Sequence, residues 1–461
     1  MRGRRGVRAH VLSLSCERRR HPSKTFHVLT GRPPTMTKHI PLKRSAKYTK
    51  NMLKRYRYRA YPKPGQVEPI AQLFGCVRVV YNDALAYAQD TYRKTGRKPS
   101  AAELSARLTQ SKKTEERVWL AEVSSVPLQQ SLRDLDKAYK AFFDTVTGKR
   151  KGKQGAGVPR FKKRGNRQAA RFTANAVFRV RETTHRVGFV RLPKIGEVKF
   201  VLSRPLPSEP SSVTLIREPD GAYYVSFVVD VEPIPAPHPT AYAVGVDMGL
   251  KHLAATVNSE GNRTLFANPR PLHQAEKKLA KLQRQLSHKK RGSHRYERQR
   301  IRVAKAYAKV KHTRTHYLHQ IANQIVDENQ VIALENLISA DLVRTHLGKS
   351  IMDAGWGQLR RLIMEKAAER GRRVVFADRF APTTQACSVC GASEGKKPLK
   401  VRTWVCSHCN TRLDRDLNAC VNIMLAAGLA ESLNEQKRHV RHLLADAVVA
   451  DAVNPLKAAH L

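Results

Sequence analysis

Residues 244–250 read Val-Gly-Val-Asp-Met-Gly-Leu, and the rest of the chain can be read outward from this heptad. It sets a carboxylate, Asp247, in an otherwise apolar, strand-like run. Burying a carboxylate among apolar groups is costly unless a cation or hydrogen-bond donors compensate it. Gly249 leaves room for a ligand or a second backbone to come close. Residues 331–337, VIALENL, repeat the device, with Glu335 at the end of a four-residue apolar run. Residues 413–419, LDRDLNA, add Asp414 and Asp416 beside an incipient helix. Three acids at element ends form a set that can converge on divalent cations. Mg²⁺ favours a few carboxylates together with substrate phosphate oxygens. Two such ions about 4 Å apart activate water and stabilise the leaving oxygen in phosphodiester hydrolysis. Spacing alone leaves a plainer reading open, because acids at such positions also serve as helix caps or ion-pair partners. Asp414 is placed to cap the helix it precedes.

Between the second and third acids lies a cysteine module. Cys387 and Cys390, then fifteen residues, then Cys406 and Cys409 make CxxC-x15-CxxC, the spacing of a zinc ribbon. Each CxxC turn sets two thiolates on one side of a tight knuckle, and two knuckles complete a tetrahedron. Gly391 relieves crowding just after the first pair. Four thiolates leave no open coordination position, so the expected zinc is structural. His408, inside the second knuckle, is expected to be exposed rather than a ligand. Cys16, Cys76 and Cys420 have no partners at metal spacing, and Cys76 and Cys420 read as small core residues on helices.

Upstream, Lys54–Pro62 alternates Tyr56, Tyr58 and Ala60 with Arg55, Arg57 and Arg59: a strand with one packed and one cationic face. From Ile70 the period becomes helical, with further helical stretches at about 101–123 and 126–146. Lys149–Arg171 holds ten basic residues, four glycines and no acid, and reads as a basic loop. Residues 176–180, 186–192, 213–216 and 223–231 are strand-like, the last two joined by a turn at Pro219-Asp220-Gly221. A proline-rich linker at 233–239 sets a boundary near residue 240. Three short strands follow at 243–246, 253–257 and 264–267. A strongly basic helical region covers 275–325, broken at Gly292–Ser293. A strand at 331–334, a helix at 356–370, a strand at 374–377 and a helix at about 417–427 complete the pattern.

The 461 residues carry 86 Lys+Arg against 37 Asp+Glu, a formal charge of +49. Such a surplus opposes compaction and is relieved by a polyanion, which makes nucleic acid the expected partner. No run of 18 apolar residues exists, so no membrane association is expected. The apolar stretch in the first 20 residues is too short for a secretory signal. Cysteines clustered at metal spacing fit a reducing compartment, and the expected location is the cytoplasm, on the nucleoid. Residues 1–51 are expected to be a basic disordered arm or the product of an upstream start codon.

Taken together, GVDMGL, IALENL and LDRDLNA, with the ribbon between the last two, resemble the split RuvC nuclease core of the TnpB (OrfB-type) family. These are transposon-encoded RNA-guided DNA endonucleases related to compact type V CRISPR effectors. YRYRAYPKPGQ at 56–66, LFGCVRVVYNDAL at 73–85, GVPRFKKRG at 157–165, WGQLRRLIMEKAAERG at 356–371 and TTQACSVCG at 383–391 extend the resemblance from about Met52 to Met424. It implies an α/β multidomain fold: an RNase H-like (RuvC) core with an inserted zinc ribbon, and an N-terminal wedge-like β-barrel carrying a helical insertion. The implied domains are the barrel at 52–62 and 149–239, a helical recognition lobe at 63–148, the nuclease core at 240–380 and 411–430, the ribbon at 381–410 and a tail at 431–461. The implied catalytic acids are Asp247, Glu335 and Asp416, holding two Mg²⁺. Asp416 is preferred to Asp414 because the family's third acid stands two positions before the Asn-Ala pair, here Asn418-Ala419. Cys420 stands where the family commonly has alanine.

The resemblance further implies a guide RNA and target double-stranded DNA as partners, bound by a monomer or dimer. Arg55, Arg57, Arg59, Lys149, Arg150, Lys162, Lys163, Arg164, Lys289, Lys290 and Arg291 represent the basic clusters expected to hold phosphates. Base pairing would supply specificity. Competing readings are a non-cleaving, guide-directed DNA-binding regulator, a strand-transferring transposase and a compact type V CRISPR effector. The intact acids argue against the first.

Overall fold

The computed structural model describes residues 52–149, 155–183, 186–232, 242–336, 342–398 and 400–429. Arg150, the arm at 1–51, the linker at 233–239 and the tail at 431–461 lie outside the described residues.

The alternation in the first basic strand is realised in β1 (Met52–Tyr61), whose Tyr58 and Ala60 are buried while Arg55 and Arg57 are exposed. β1 is the centre of a seven-stranded antiparallel sheet. Its other strands are β2 (Gln168–Thr173), β3 (Arg179–Glu182), β4 (Val187–Leu192), β5 (Gly196–Val201), β6 (Ser212–Arg217) and β7 (Tyr223–Val231), in the order β2-β6-β7-β1-β5-β4-β3. Tyr58, Phe200 and Phe227 form its aromatic centre, with ring centroids 5.3–5.9 Å apart. Gly188 has no side chain because a Cβ there would lie 2.3 Å from the Phe200 ring.

Among the described residues no pairing joins the outer strands β2 and β3, so where the resemblance implies a wedge-like β-barrel the sheet is a curled half-barrel. The helices α1 (Pro64–Thr95) and α3 (Ser125–Val146) supply apolar residues to the same core as the sheet, among them Ile70, Leu85, Leu128 and Leu135. A sheet covered by helices has no need to bury its inner face against itself. The basic loop is also shorter than the charge run suggested, since its last four residues belong to β2, where Arg171 pairs with Asp134. The helical stretch after residue 101 ends at Ser111 as α2 (Ala101–Ser111), with a 3₁₀ turn at Val118–Ala121.

The second sheet has the order β10-β9-β8-β11-β12. β8 (Ala243–Asp247), β9 (His252–Asn258) and β10 (Arg263–Ala267) are antiparallel, and β11 (Val331–Leu334) and β12 (Arg373–Phe376) run parallel to β8. The chain leaves β10 through α4 (Pro271–Ser287) and α5 (His294–Glu328), breaking at Gly292 and Ser293 as the sequence predicts. It then passes through α6 (Gly348–Ala354) and α7 (Trp356–Glu369) to β12. Strand alternation divides the two faces. Val244 and Val246 pack with Leu318, Ile325 and Leu359 of α5 and α7. Ala243, Ala255 and Ala333 face the other way, against α8 (Arg415–Ala426). By the same alternation, Gly245, Asp247 and Glu335 belong to the α8 face.

Candidate carboxylate and cysteine sites

Parallel pairing sets Val246 opposite Leu334, so Asp247 and Glu335 are the next residues at the C-terminal ends of adjacent strands. Ligand sites of open sheets collect at such ends. The third acid arrives because β8 lets a helix come unusually near. A Cβ on Gly245 would lie 1.9 Å from the Cys420 carbonyl oxygen, so only glycine admits α8 at this distance. The Cys420 thiol donates to the Ala255 carbonyl at 3.1 Å, and Ala255 is the strand partner of Asp247. One helical turn before Cys420 stands Asp416.

Asp414 and Asp416 have different tasks. The Asp414 carboxylate caps α8, accepting from the Asp416 and Leu417 amides at 2.9 and 3.0 Å. The Asp416 carboxylate, in the first turn, takes no part in the cap, and its charge acts on Asp247. Burial, then the charges of Glu335 and Asp416, hold the Asp247 carboxyl well above the ordinary range, with Arg415 opposing them. Burial likewise raises Glu335, against the hydrogen bond donated to it by Thr383 Oγ1 at 2.5 Å. Arg402, from the ribbon, lies 3.5 Å from Asp416. The site is therefore short of positive charge, and its donors are hard oxygens, which fits Mg²⁺.

Thr383, Arg402 and His252, whose imidazole feels Asp416, were not singled out from the sequence as site residues. Thr383 lies in a quoted motif, but only the fold brings its hydroxyl to Glu335. Trp356 does similar work at a distance: its indole donates to the Gly249 carbonyl at 3.1 Å, behind Asp247.

The four cysteines are the one group, among the described residues, whose metal-ligand atoms all lie within 4.8 Å of one another. Cys387 and Cys409 sulfurs are 3.7 Å apart, and those of Cys390 and Cys406 are 3.6 Å apart. A tetrahedron of Zn–S bonds of about 2.3 Å has edges of about 3.8 Å, so the cluster fits zinc and is far too open for disulfides. The two knuckles are built alike. Gly391 and Asn410 donate to the carbonyls of Cys387 and Cys406 at 2.9 Å, and both take left-handed backbone conformations. Burial pushes the Cys387 thiol up to about 12, so an entering metal must displace its proton. Cys76 and Cys420 are buried on helices, as their spacing predicts.

The basic residues fall into three groups. Arg57 lies 3.9 Å from the Tyr224 ring centroid and pairs with Glu218 at 2.7 Å, while Arg59 reaches the rings of Tyr61 and Tyr224. Lys162 holds its ammonium 3.9 Å over Tyr81, and the Asn82 side chain grips the Lys162 backbone from both sides. Lys149, Lys163 and Arg164 are exposed. Lys289, Lys290 and Arg291 form the tip between α4 and α5.

Family models match this chain in three stretches: OrfB_IS605, "Probable transposase", over residues 226–346, "Cas12f1-like, TNB domain" over 356–423, and HTH_OrfB_IS605, "Helix-turn-helix domain", over 52–97. The last stretch folds here as β1 and the single long helix α1. A "Putative RNA-guided DNA endonuclease" from Streptomyces pristinaespiralis is 39% identical over 382 residues, covering 82% of this chain and 90% of the relative. "Putative RNA-guided DNA endonuclease InsQ" of Escherichia coli (strain K12) is 29% identical over 394 residues, covering 82% and 93%. In fold, the chain is similar to "the mini-RNA-guided endonuclease CRISPR-Cas_phi3", with a TM-score of 0.50 at 9% identity, over 84% of this chain and 94% of that one. The chain belongs to the OrfB_IS605/TnpB family. Among the described residues no helix is long and apolar enough to cross a membrane.

Proposed function

We propose that this chain is an RNA-guided, Mg²⁺-dependent DNA endonuclease. The observation that carries the reading is that Asp247 and Glu335 end adjacent parallel strands, both raised by burial, with Asp416 of α8 near enough for its charge to act on Asp247. The names of the relatives point the same way. Residues 240–380 and 411–430 are the RNase H-like nuclease core, with the ribbon at 381–410 inserted. The segments 52–62 and 149–239, which include the strands of the half-barrel, are the wedge, and 63–148 the recognition lobe.

Asp247, Glu335 and Asp416 are the residues that would hold two Mg²⁺. Bound there, the ions supply an activated water and stabilise the leaving oxygen of a phosphodiester. The protein's own part is positional. Thr383 fixes the rotamer of Glu335, the Asp414 cap frees Asp416, and Gly245 sets the distance between α8 and the strands. Arg402 balances Asp416 when no cation does. The basic tip at 289–291, the loop around 162–164 and the arginine face of β1 hold guide RNA and heteroduplex through phosphates. Base pairing then reads the target.

The test is cleavage of plasmid DNA matching the RNA that co-purifies with the full chain, with and without Mg²⁺. Mg²⁺-dependent cutting that Asp247→Ala abolishes, with RNA binding retained, is expected. Retained cutting by Asp247→Ala would remove the assignment, and guided binding without cutting would favour the regulator reading.

A further inference from the structure

We propose that Phe380 is a stacking platform for one unpaired nucleobase at the mouth of the carboxylate site; this deepens, and rests on, the endonuclease reading. Phe380 is 85% exposed, the highest value among the exposed large hydrophobic side chains described. An isolated exposed phenylalanine is ordinary; one held out on a braced turn that leaves the sheet beside the half-buried Glu335 is not.

The turn is braced at every step. Ala377 donates its amide to the Leu334 carbonyl, so the segment leaves the sheet beside Glu335. The Asp378 side chain accepts from the Phe380 amide at 2.8 Å, and the Asp378 carbonyl accepts from Ala381. Thr383 then anchors the far end twice. Its hydroxyl donates to Glu335, and its carbonyl accepts from the Asn418 and Asn422 side chains of α8. Phe380 and Thr383 are three positions apart, a reach of at most about 11 Å. The Phe380 backbone therefore lies within about 11 Å of the residue whose hydroxyl bonds Glu335.

The chemistry around the ring selects a base over an apolar protein surface. The Arg379 guanidinium lies 5.8 Å from the ring centroid, and Asp378, Arg379 and Pro382 are exposed beside it. An aromatic face next to a cation is the composition of single-strand sites, where stacking is indifferent to sequence because every base has a π-face. A strand displaced from its complement presents such unstacked bases.

The experiment uses the full chain with its co-purified RNA and a short single-stranded DNA carrying one 2-aminopurine, comparing wild type, Phe380→Ala and Phe380→Trp. We expect Phe380→Ala to raise the KM for single-strand cleavage about tenfold or more. kcat, Mg²⁺ dependence and thermal midpoint should stay close to wild type, and Phe380→Trp should retain the wild-type KM. Quenching of 2-aminopurine on binding should fall in Phe380→Ala. Unchanged KM and quenching in Phe380→Ala would overturn the proposal. So would a lowered thermal midpoint with unchanged KM, which would make the ring a docking residue for protein. A wild-type chain that quenches through Phe380 yet cuts nothing would sink the nuclease reading and leave the stacking site standing.

Discussion

Asp247 sits where its own fold works against its charge. Burial and two neighbouring carboxylates raise its protonation range, so the metal-free fold favours the neutral acid. A carboxyl whose folded-state pKa lies above its unfolded value contributes stability at low pH that is lost as pH rises through the folded value. The Mg²⁺-free protein, with its zinc intact, should therefore gain on the order of 1 kcal/mol at neutral pH from Asp247→Asn, while losing cleavage. Thermal unfolding without Mg²⁺ reads this. The gain should shrink as pH falls into the ordinary carboxylate range, where wild-type Asp247 is also neutral. The proposed acids Asp247 and Glu335 stood out in the sequence because each follows an apolar, strand-like run. Their partners were not: nothing near Thr383 in the chain says that its hydroxyl meets Glu335, 48 positions away.

Two elements carry the site, and each gives a prediction. The first is the crossing of β8 by α8 at Gly245. Gly245→Ala forces a methyl into the Cys420 carbonyl and should cost about 1–3 kcal/mol in thermal stability. Because backbone must move, cleavage at a permissive temperature should fall further than the stability loss explains. Cys420→Ala loses the thiol bond to the Ala255 carbonyl but leaves the Cys420 carbonyl that meets Gly245, so it should keep α8 in place and retain cutting. The second is the ribbon. β14 (Arg412–Asp414) pairs with β13 (Thr403–Val405) and runs into α8 without an intervening residue. Zinc binding should supply on the order of 10 kcal/mol of local folding energy. Cys406→Ser should therefore abolish stoichiometric zinc by metal analysis, expose 381–416 to limited proteolysis and suppress cleavage without touching an acid. The helix–break–helix at 271–328 was readable in detail because Gly292 and Ser293 interrupt an apolar stripe. β2 and β5 were not read as strands, since six residues of mixed polarity such as GEVKFV take their strand character from their neighbours.

At the scale of the molecule, the +49 charge is distributed rather than diffuse. α5 spans about 52 Å. Its C-terminal half packs under the second sheet through Leu318, Ile321, Ala322, Ile325 and Val326, and its N-terminal half pairs with α4 to carry Lys289, Lys290 and Arg291 at the tip. Arg300 ties this hairpin to the half-barrel through the Gly165 and Pro219 carbonyls. Replacing Lys289, Lys290 and Arg291 together by alanine should weaken nucleic-acid binding and reduce its log–log salt slope by about 2 to 3. The thermal midpoint should hardly move, because the tip buries no core. Binding measured across a salt series separates this from misfolding.

What the sequence determined by itself was local: strand and helix periods, the zinc spacing, the acids that interrupt apolar runs and the sign of the partner. Each depends on residues a few positions apart, where pattern and chemistry coincide. The tertiary structure decided that the first sheet stops at a half-barrel, that Asp416 comes near enough to act on Asp247, and that Thr383 and Arg402 reach Glu335 and Asp416. Those outcomes depend on register between β8 and β11 and on a helix approaching one glycine, contacts between distant segments that no window along the chain contains.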